Sequence, residues 1–327
     1  MAFQEPGRAR SGALLGHGAR PSPAINQPPM SSRRLMQAMA GGLAVAAGVG
    51  LLAAGGKPPS RASKLAAGGA ALLAASVVAD SAMEHYRGNY KKPAMHVAPI
   101  AAAITLATAV ATLVSARGAR VKTAIFGGAV TTGLFGLGFH VKNILERPGG
   151  LSFNNLFYRA PFGAPGALLL AGLAGIGAVD AQAADTCGTV RLRHGSGRLL
   201  GALTAFGLFG LTAEIGLLHF RGAFHNKLMY LPVSALPLNA VSIAYAVARP
   251  GCRHERQAAG WLAGTMGLAV AGTGLHAYGV SRNMGGFSNW TQNLFQGPPV
   301  AAPPSLAGIA MIGLAALDLV TPGSEPE

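Results

Sequence analysis

Half of the 327 residues are apolar and only 11% are charged, whereas a soluble domain carries about 25% charged residues. The formal net charge of +15 is spread over the segments between apolar blocks, which argues for basic loops flanking membrane spans and against a nucleic-acid surface. Eleven acids are too few for a carboxylate-rich di-metal centre, and the two cysteines, Cys187 and Cys252, lack any CxxC spacing.

Residues 1–34 are rich in Pro, Gly and Arg with a single acid, Glu5. They read as a disordered basic tail. Ser32-Arg33-Arg34-Leu35 superficially resembles a twin-arginine export signal. The block that follows is long for a signal segment and has no convincing cleavage site, so 35–56 reads as a retained first transmembrane helix. Further blocks run over Leu65–Ala79, Val97–Ala116, Thr123–Phe139, Ala160–Val179, Leu199–Ala213, Leu228–Ala248, Ala258–Arg282 and Pro298–Leu317. Blocks of roughly 17–25 residues match a hydrocarbon core of about 30 Å, and the pattern predicts about nine spans. Residues 320–327 form a short acidic tail.

The fold class follows from backbone chemistry. In lipid every N–H and C=O must bond internally, so a span is a helix or part of a closed barrel. These blocks are too long and continuous for barrel strands of alternating polarity. An all-α polytopic bundle is therefore predicted. The 47 glycines suit close helix contact, with Gly68, Gly69, Gly127, Gly128, Gly133 and Gly264 as candidates.

Self-similarity is the most informative feature. Glu84-His85-Tyr86-Arg87-Gly88-Asn89-Tyr90 with Met95 matches Leu218-His219-Phe220-Arg221-Gly222-Ala223-Phe224 with Met229, an offset of 134 (219 − 85) that also carries Asp80 onto Glu214. Gly136, Gly138 and His140 ahead of Gly149-Gly150 match Gly272, Gly274 and His276 ahead of Gly285-Gly286. Asn155-Leu156-Phe157 with Pro161 and Pro165 matches Asn293-Leu294-Phe295 with Pro299 and Pro303, and Asp180 falls onto Asp318. The expected organisation is a tandem duplication: a four-helix unit over 62–181 and a second over 197–319. An even helix number gives both units the same membrane orientation and relates them by an axis along the membrane normal. All four motif loops then lie on one membrane side.

Asp80, Glu84 and Arg87 share one helix face by their spacing of four and three. A carboxylate inside a span is costly and faces a partner or cavity. Asp80 and Glu214 are therefore expected inside the protein, each beside a basic or histidine partner, as proton-handling or ligand-binding groups or as ion pairs with Arg87 and Arg221. His85, His140, His219 and His276 fall at equivalent helix ends. Imidazoles from two helices suit a haem b, and four together a non-haem metal, copper or iron; Met95 and Met229 beside them would favour copper. Pairing within a unit, His85 with His140 and His219 with His276, is the expected arrangement. Arg87-Gly88 and Arg221-Gly222 read as helix C-termini, with the Arg on the negative end of the dipole and the Gly in a left-handed cap. The Gly pairs permit positive φ, and Asn155 and Asn293 either cap the next turn or bind a ligand. Asn289-Trp290-Thr291 fits a glycosylation sequon, a weak pattern without a counterpart in the first unit.

The loops at 57–64, 117–122, 183–198 and 249–256 hold twelve Lys or Arg, Lys122 among them, against nine on the motif side. The positive-inside rule puts the motif loops outside, although the arginines of the N-terminal tail oppose this. The leading functional expectation is a bacterial inner-membrane subunit, rather than a stand-alone enzyme, that binds haem, metal or a small ligand near one membrane face. Its partners would be the bilayer, other membrane subunits or a periplasmic redox protein. A secondary transporter with Asp80 and Glu214 in its pathway is the second reading, and a non-catalytic structural or assembly protein the third.

Overall fold

The computed structural model describes residue 48 and residues 56–159, 162–187, 190–289, 292–294 and 297–321. The expected tail 1–34, nearly all of the expected first span 35–56, and residues 322–327 lie outside the described residues. Among those described there is helix and no strand. The long helices are α1 (Arg61–Arg87), α2 (Val97–Val114), α3 (Ala119–Leu145), α5 (Gly163–Cys187), α6 (Val190–Arg221), α7 (Tyr230–Ala248), α8 (Cys252–Arg282) and α9 (Pro304–Val320); α4 (Phe153–Arg159) is a short helix of about two turns before α5.

The helices α1, α3, α6 and α8 outrun their apolar blocks, because a hydrogen-bonded backbone continues through polar interfacial residues until a specific stop. The starts are local. Ser60 Oγ accepts from Ser63 N at 3.2 Å to cap α1. Gly118, at φ +77, turns the chain into α3. Proline at the first helical turn opens α9. Within the spans, hydroxyls bond back one turn, as Thr105, Thr108 and Thr112 do at 2.7–2.8 Å, which removes their polarity from lipid.

Seven of these helices are long and apolar enough to cross a membrane, and the chain is a multi-pass integral membrane protein. The last helix, α9, has 17 residues, about 26 Å at 1.5 Å per residue. It is also the most enclosed: twelve of its residues are buried. It packs on α1 and α6, and both of these pack on α5, so α1, α5, α6 and α9 form a closed inner ring. Outside it, α2 and α3 lie against α1 and α5, while α7 and α8 lie against α6 and α9. Alanine dominates the buried core, so backbones approach closely and dispersion replaces the hydrophobic term that lipid cannot supply.

Three of the six candidate glycines make such approaches. A Cβ on Gly69 would stand 2.4 Å from the Gly308 carbonyl, one on Gly68 2.3 Å from Met311 Cε, and one on Gly133 2.7 Å from Leu169 N. Gly127, Gly128 and Gly264 have nothing within 4 Å and are corrected: they lie on open faces. Lys122 also departs from expectation. It is 1% exposed, and Nζ donates to the carbonyls of Ser115 (2.5 Å) and Ala111 (3.3 Å). It neutralises the carbonyl end of α2 and is no interfacial loop charge.

Candidate functional site

The motif residues gather at the end of the bundle where α1, α3, α6 and α8 finish. Two corners there share one construction. After α1 stops at Arg87, Gly88 N donates to Glu84 O at 3.1 Å, Asn89 N to Tyr86 O at 2.8 Å and Tyr90 N to His85 O at 3.0 Å. After α6 stops at Arg221, Gly222, Ala223 and Phe224 donate to Leu218, Phe220 and His219 at 3.1, 2.8 and 3.0 Å. The left-handed residues are not the glycines. Asn89 (φ 57) and Tyr90 (φ 43) take that conformation in the first corner, Ala223 (φ 55) and Phe224 (φ 46) in the second, while Gly88 sits at φ −78. The expected left-handed cap is thus corrected. The glycines pack closely under the methionines: a Cβ on Gly88 would lie 3.0 Å from Met95 Cε, and on Gly222 3.1 Å from Met229 Cε.

The strained turns are held by the histidines. His85 Nδ1 donates to the Met95 carbonyl at 2.5 Å, and His219 Nδ1 to the Met229 carbonyl at 2.8 Å. Each imidazole meets the ring two residues past its glycine edge-on: Tyr90 at 6.0 Å and 77°, Phe224 at 6.0 Å and 81°. Those rings stack in turn on His96 (4.2 Å) and Tyr230 (4.4 Å). His96 and Tyr230 were missed from the sequence, although the offset of 134 relates them (230 − 96) and both are aromatic.

The second motif builds the other corners. Gly149 and Gly150 have φ +88 and +50, Gly285 and Gly286 +81 and +49, the positive values that glycine adopts without penalty. Buried Asn155 locks the first loop, its Nδ2 donating to Pro148 O (3.0 Å) and Gly150 O (2.9 Å). Buried Asn293 does the same to Met284 O (3.1 Å) and Gly286 O (2.7 Å). Both side-chain amides are therefore occupied by their own loop. The glycine ahead of each histidine packs on a proline: a Cβ on Gly136 would lie 3.0 Å from Pro165, on Gly272 3.2 Å from Pro303. His276 Nδ1 donates to Pro299 O at 2.9 Å; the matching Pro161 lies outside the described residues, as do Trp290 and Thr291 of the sequon.

His85 and His140 stand at the ends of α1 and α3, and His219 and His276 at the matching ends of α6 and α8. Among the described residues, no three His, Cys, Asp or Glu side chains cluster to hold a metal ion. His85, His140, His219 and His276 therefore do not converge on one four-histidine centre. The methionines contribute main-chain carbonyls to the histidines and lay their thioether methyls over the corner glycines, which is reason enough for their spacing without copper.

The carboxylates separate into two kinds. Glu84 forms an exposed ion pair with Arg87, 2.7 Å from Oε1 to Nη1, of small energetic weight. Asp80 has no ion pair with a base among the described residues, contrary to expectation. Its electrostatic neighbours are Glu84 and Glu214, and Glu214 also feels Arg221. Both carboxyls are half-buried, on helices that lie diagonally across the inner ring. Glu214 Oε1 stands 3.0 Å from where a Cβ on Gly163, at the start of α5, would sit, so the carboxylate packs closely against the start of that helix.

Comparison of the chain with protein-family models, curated proteins and solved structures gave no significant match.

Proposed function

We propose that this chain is a duplicated bacterial inner-membrane subunit that holds a redox cofactor at paired histidines near one membrane face, one pair in each of the units 62–181 and 197–319, with haem b the first candidate. The duplication rests on the matched offsets and on the two corners of identical hydrogen-bond pattern. The observation that carries the cofactor reading is the hydrogen bonding of the imidazoles. A carbonyl only accepts, so His85, His219 and His276 hold their proton on Nδ1. Each ring then presents the Nε2 lone pair, with its orientation fixed from behind, as second-shell carbonyls do for histidine ligands. The donor set is all nitrogen, with no thiolate and no c-type attachment sequence, which fits a b-type haem. The protein's part is to orient the imidazoles and exclude water; the redox chemistry belongs to the bound group.

The test is the absorption spectrum and metal content of protein purified from haem-replete cells. A Soret band that disappears in the His85→Ala, His219→Ala double variant, with helicity retained, supports the reading. Protein without chromophore or stoichiometric iron or copper rejects it.

A second reading, secondary transport, is favoured by one further observation, the half-buried carboxyls of Asp80 and Glu214 on helices that lie diagonally across the inner ring, with Arg221 acting on Glu214. Two carboxylates in that position repel each other unless a proton or cation lies between them. Cation- or proton-driven uptake in vesicles, lost in Asp80→Asn and in Glu214→Gln, would establish it. Uptake unaffected by both would dismiss it.

A further inference from the structure

At the opposite end of the bundle from the histidines, a pocket of about 460 Å³ opens between the starts of α1 and α8 and the end of α9. Its polar lining is Arg61, Arg256, Glu255, Asp318 and Thr321, and Cys252 sits on its wall. Arg61 is the first residue of its helix, Glu255 lies in the first turn of α8, and Thr321 follows the last residue of α9. The polar groups therefore ring the pocket at the level where helices leave the membrane. The apolar wall, Leu65, Ala259, Leu314 and Leu317, lies one turn deeper, on the lipid side.

Glu255 is the distinctive group. It is 7% exposed, which for a carboxylate demands compensation. The helix N-terminus supplies part of it, and Thr321 Oγ lies 3.1 Å from Oε2 and shares its single proton between that oxygen and the Leu317 carbonyl at 2.7 Å. Oε1 has no hydrogen-bond partner among the described residues. A buried carboxylate oxygen of this kind takes an N–H donor, most strongly a cationic one. Across the pocket Arg61 Nη1 stands 3.8 Å from Asp318 Oδ1, with the Arg61 side chain 83% exposed. Arg256 donates through Nε to Cys252 O at 3.2 Å, which keeps its guanidinium at the rim. Two acids and two arginines balance. A simple anion would meet Glu255 and Asp318, and a simple cation would meet both guanidinium groups; a molecule carrying both charges matches all four.

We infer that this pocket binds a primary amine linked to a phosphate, presented as the headgroup of an ethanolamine phospholipid. The ammonium donates to the Glu255 carboxylate, which turns its enclosed Oε1 toward the pocket, the phosphate lies on Arg61 and Arg256, and the acyl chains leave along the leucine wall. The primary amine matters, since a trimethylammonium has no N–H to give. The lipid form is favoured by the order of the lining, charged at the membrane surface and apolar beneath it. The inference is independent of the histidine reading.

Cys252 makes it testable in the wild-type chain. It is a free, exposed thiol on the pocket wall, and Cys187, also free and exposed, lies outside the pocket lining. Detergent-purified protein would be supplemented with phosphatidylethanolamine, phosphatidylcholine or phosphatidylglycerol of identical acyl chains, and maleimide labelling of the two thiols followed with the melting temperature. The expected result is a several-fold slowing at Cys252 alone and a raised melting temperature, with the ethanolamine lipid only. Glu255→Gln should remove the ethanolamine preference, and Arg256→Gln, at the exposed rim, should weaken it even if the first variant does not fold. Equal effects of the three lipids, or unchanged Cys252 labelling, would overturn the assignment. Free phosphoethanolamine reproducing the whole effect would replace the lipid by a soluble phospho-amine and overturn the lipid clause.

Discussion

His219 and Met229 are joined by one hydrogen bond, imidazole Nδ1 to main-chain carbonyl at 2.8 Å, which spans ten residues and closes the corner between α6 and α7. The same bond joins His85 to Met95. This geometry separates the two roles a histidine can play here, because Nδ1 serves the fold and Nε2 remains for chemistry.

Replacing His219 by Asn should therefore leave the fold intact, since the amide nitrogen takes the place of Nδ1. His219→Ala loses the bond and leaves a carbonyl unpaired, at a cost of about 1–3 kcal/mol. Thermal unfolding should thus rank wild type and Asn together above Ala. If a cofactor is present, it should be lost from both variants. Equal melting temperatures for Asn and Ala would show that the corner does not depend on this bond.

Asn155 and Asn293 act by donation alone, each amide bridging two carbonyls of its glycine loop. An Asp at either position would aim a carboxylate oxygen at those carbonyls. Asn293→Asp should therefore be more destabilising than Asn293→Ala, which itself costs about 1–3 kcal/mol. Melting temperatures in detergent decide the order, and Asp at or above Ala would refute the lock.

The glycines divide by environment. Gly69→Ala pushes a methyl into the Gly308 carbonyl, 2.4 Å away, and should separate α1 from α9 at a cost of about 1–3 kcal/mol. Gly127→Ala meets nothing within 4 Å and should be neutral or stabilising by up to about 1 kcal/mol. A melting temperature for Gly69→Ala equal to that of Gly127→Ala would contradict the close crossing.

These residues also mark what the sequence could disclose. The apolar blocks located the helices because hydropathy and backbone satisfaction act locally. Helix ends were missed by several residues, as at Arg61 and Val190, since a helix runs on past the last apolar residue. The corner motifs stood out because His85, Gly88 and Met95 interact within ten residues, so their spacing is itself the structure. Which helices touch was not legible. Gly127 and Gly69 look alike in sequence, and only the assembly of the inner ring makes one a contact and the other an open face. Lys122 was read as a loop charge because nothing local reveals that α2 ends beside it. The pocket around Glu255 escaped for the same reason, as Arg61, Glu255 and Asp318 are far apart in the chain.

The last prediction concerns topology. Cys187 ends α5 and Cys252 begins α8. Two spans, α6 and α7, separate them, so both thiols must face the same side, opposite the histidine corners. Both are exposed and free. The loops at their end carry the larger share of Lys and Arg even after Lys122 is set aside as a buried helix cap, eleven against nine. The positive-inside rule accordingly places them in the cytoplasm. A membrane-impermeant maleimide added to intact spheroplasts should leave both unlabelled, and permeabilisation should expose both together. Labelling of both from outside would invert the orientation and move the histidine corners to the cytoplasmic face, where a periplasmic redox partner could not reach them. Labelling of one thiol from outside and of the other only after permeabilisation would break the helix order itself, whereas slower labelling of Cys252 after permeabilisation would reflect its pocket.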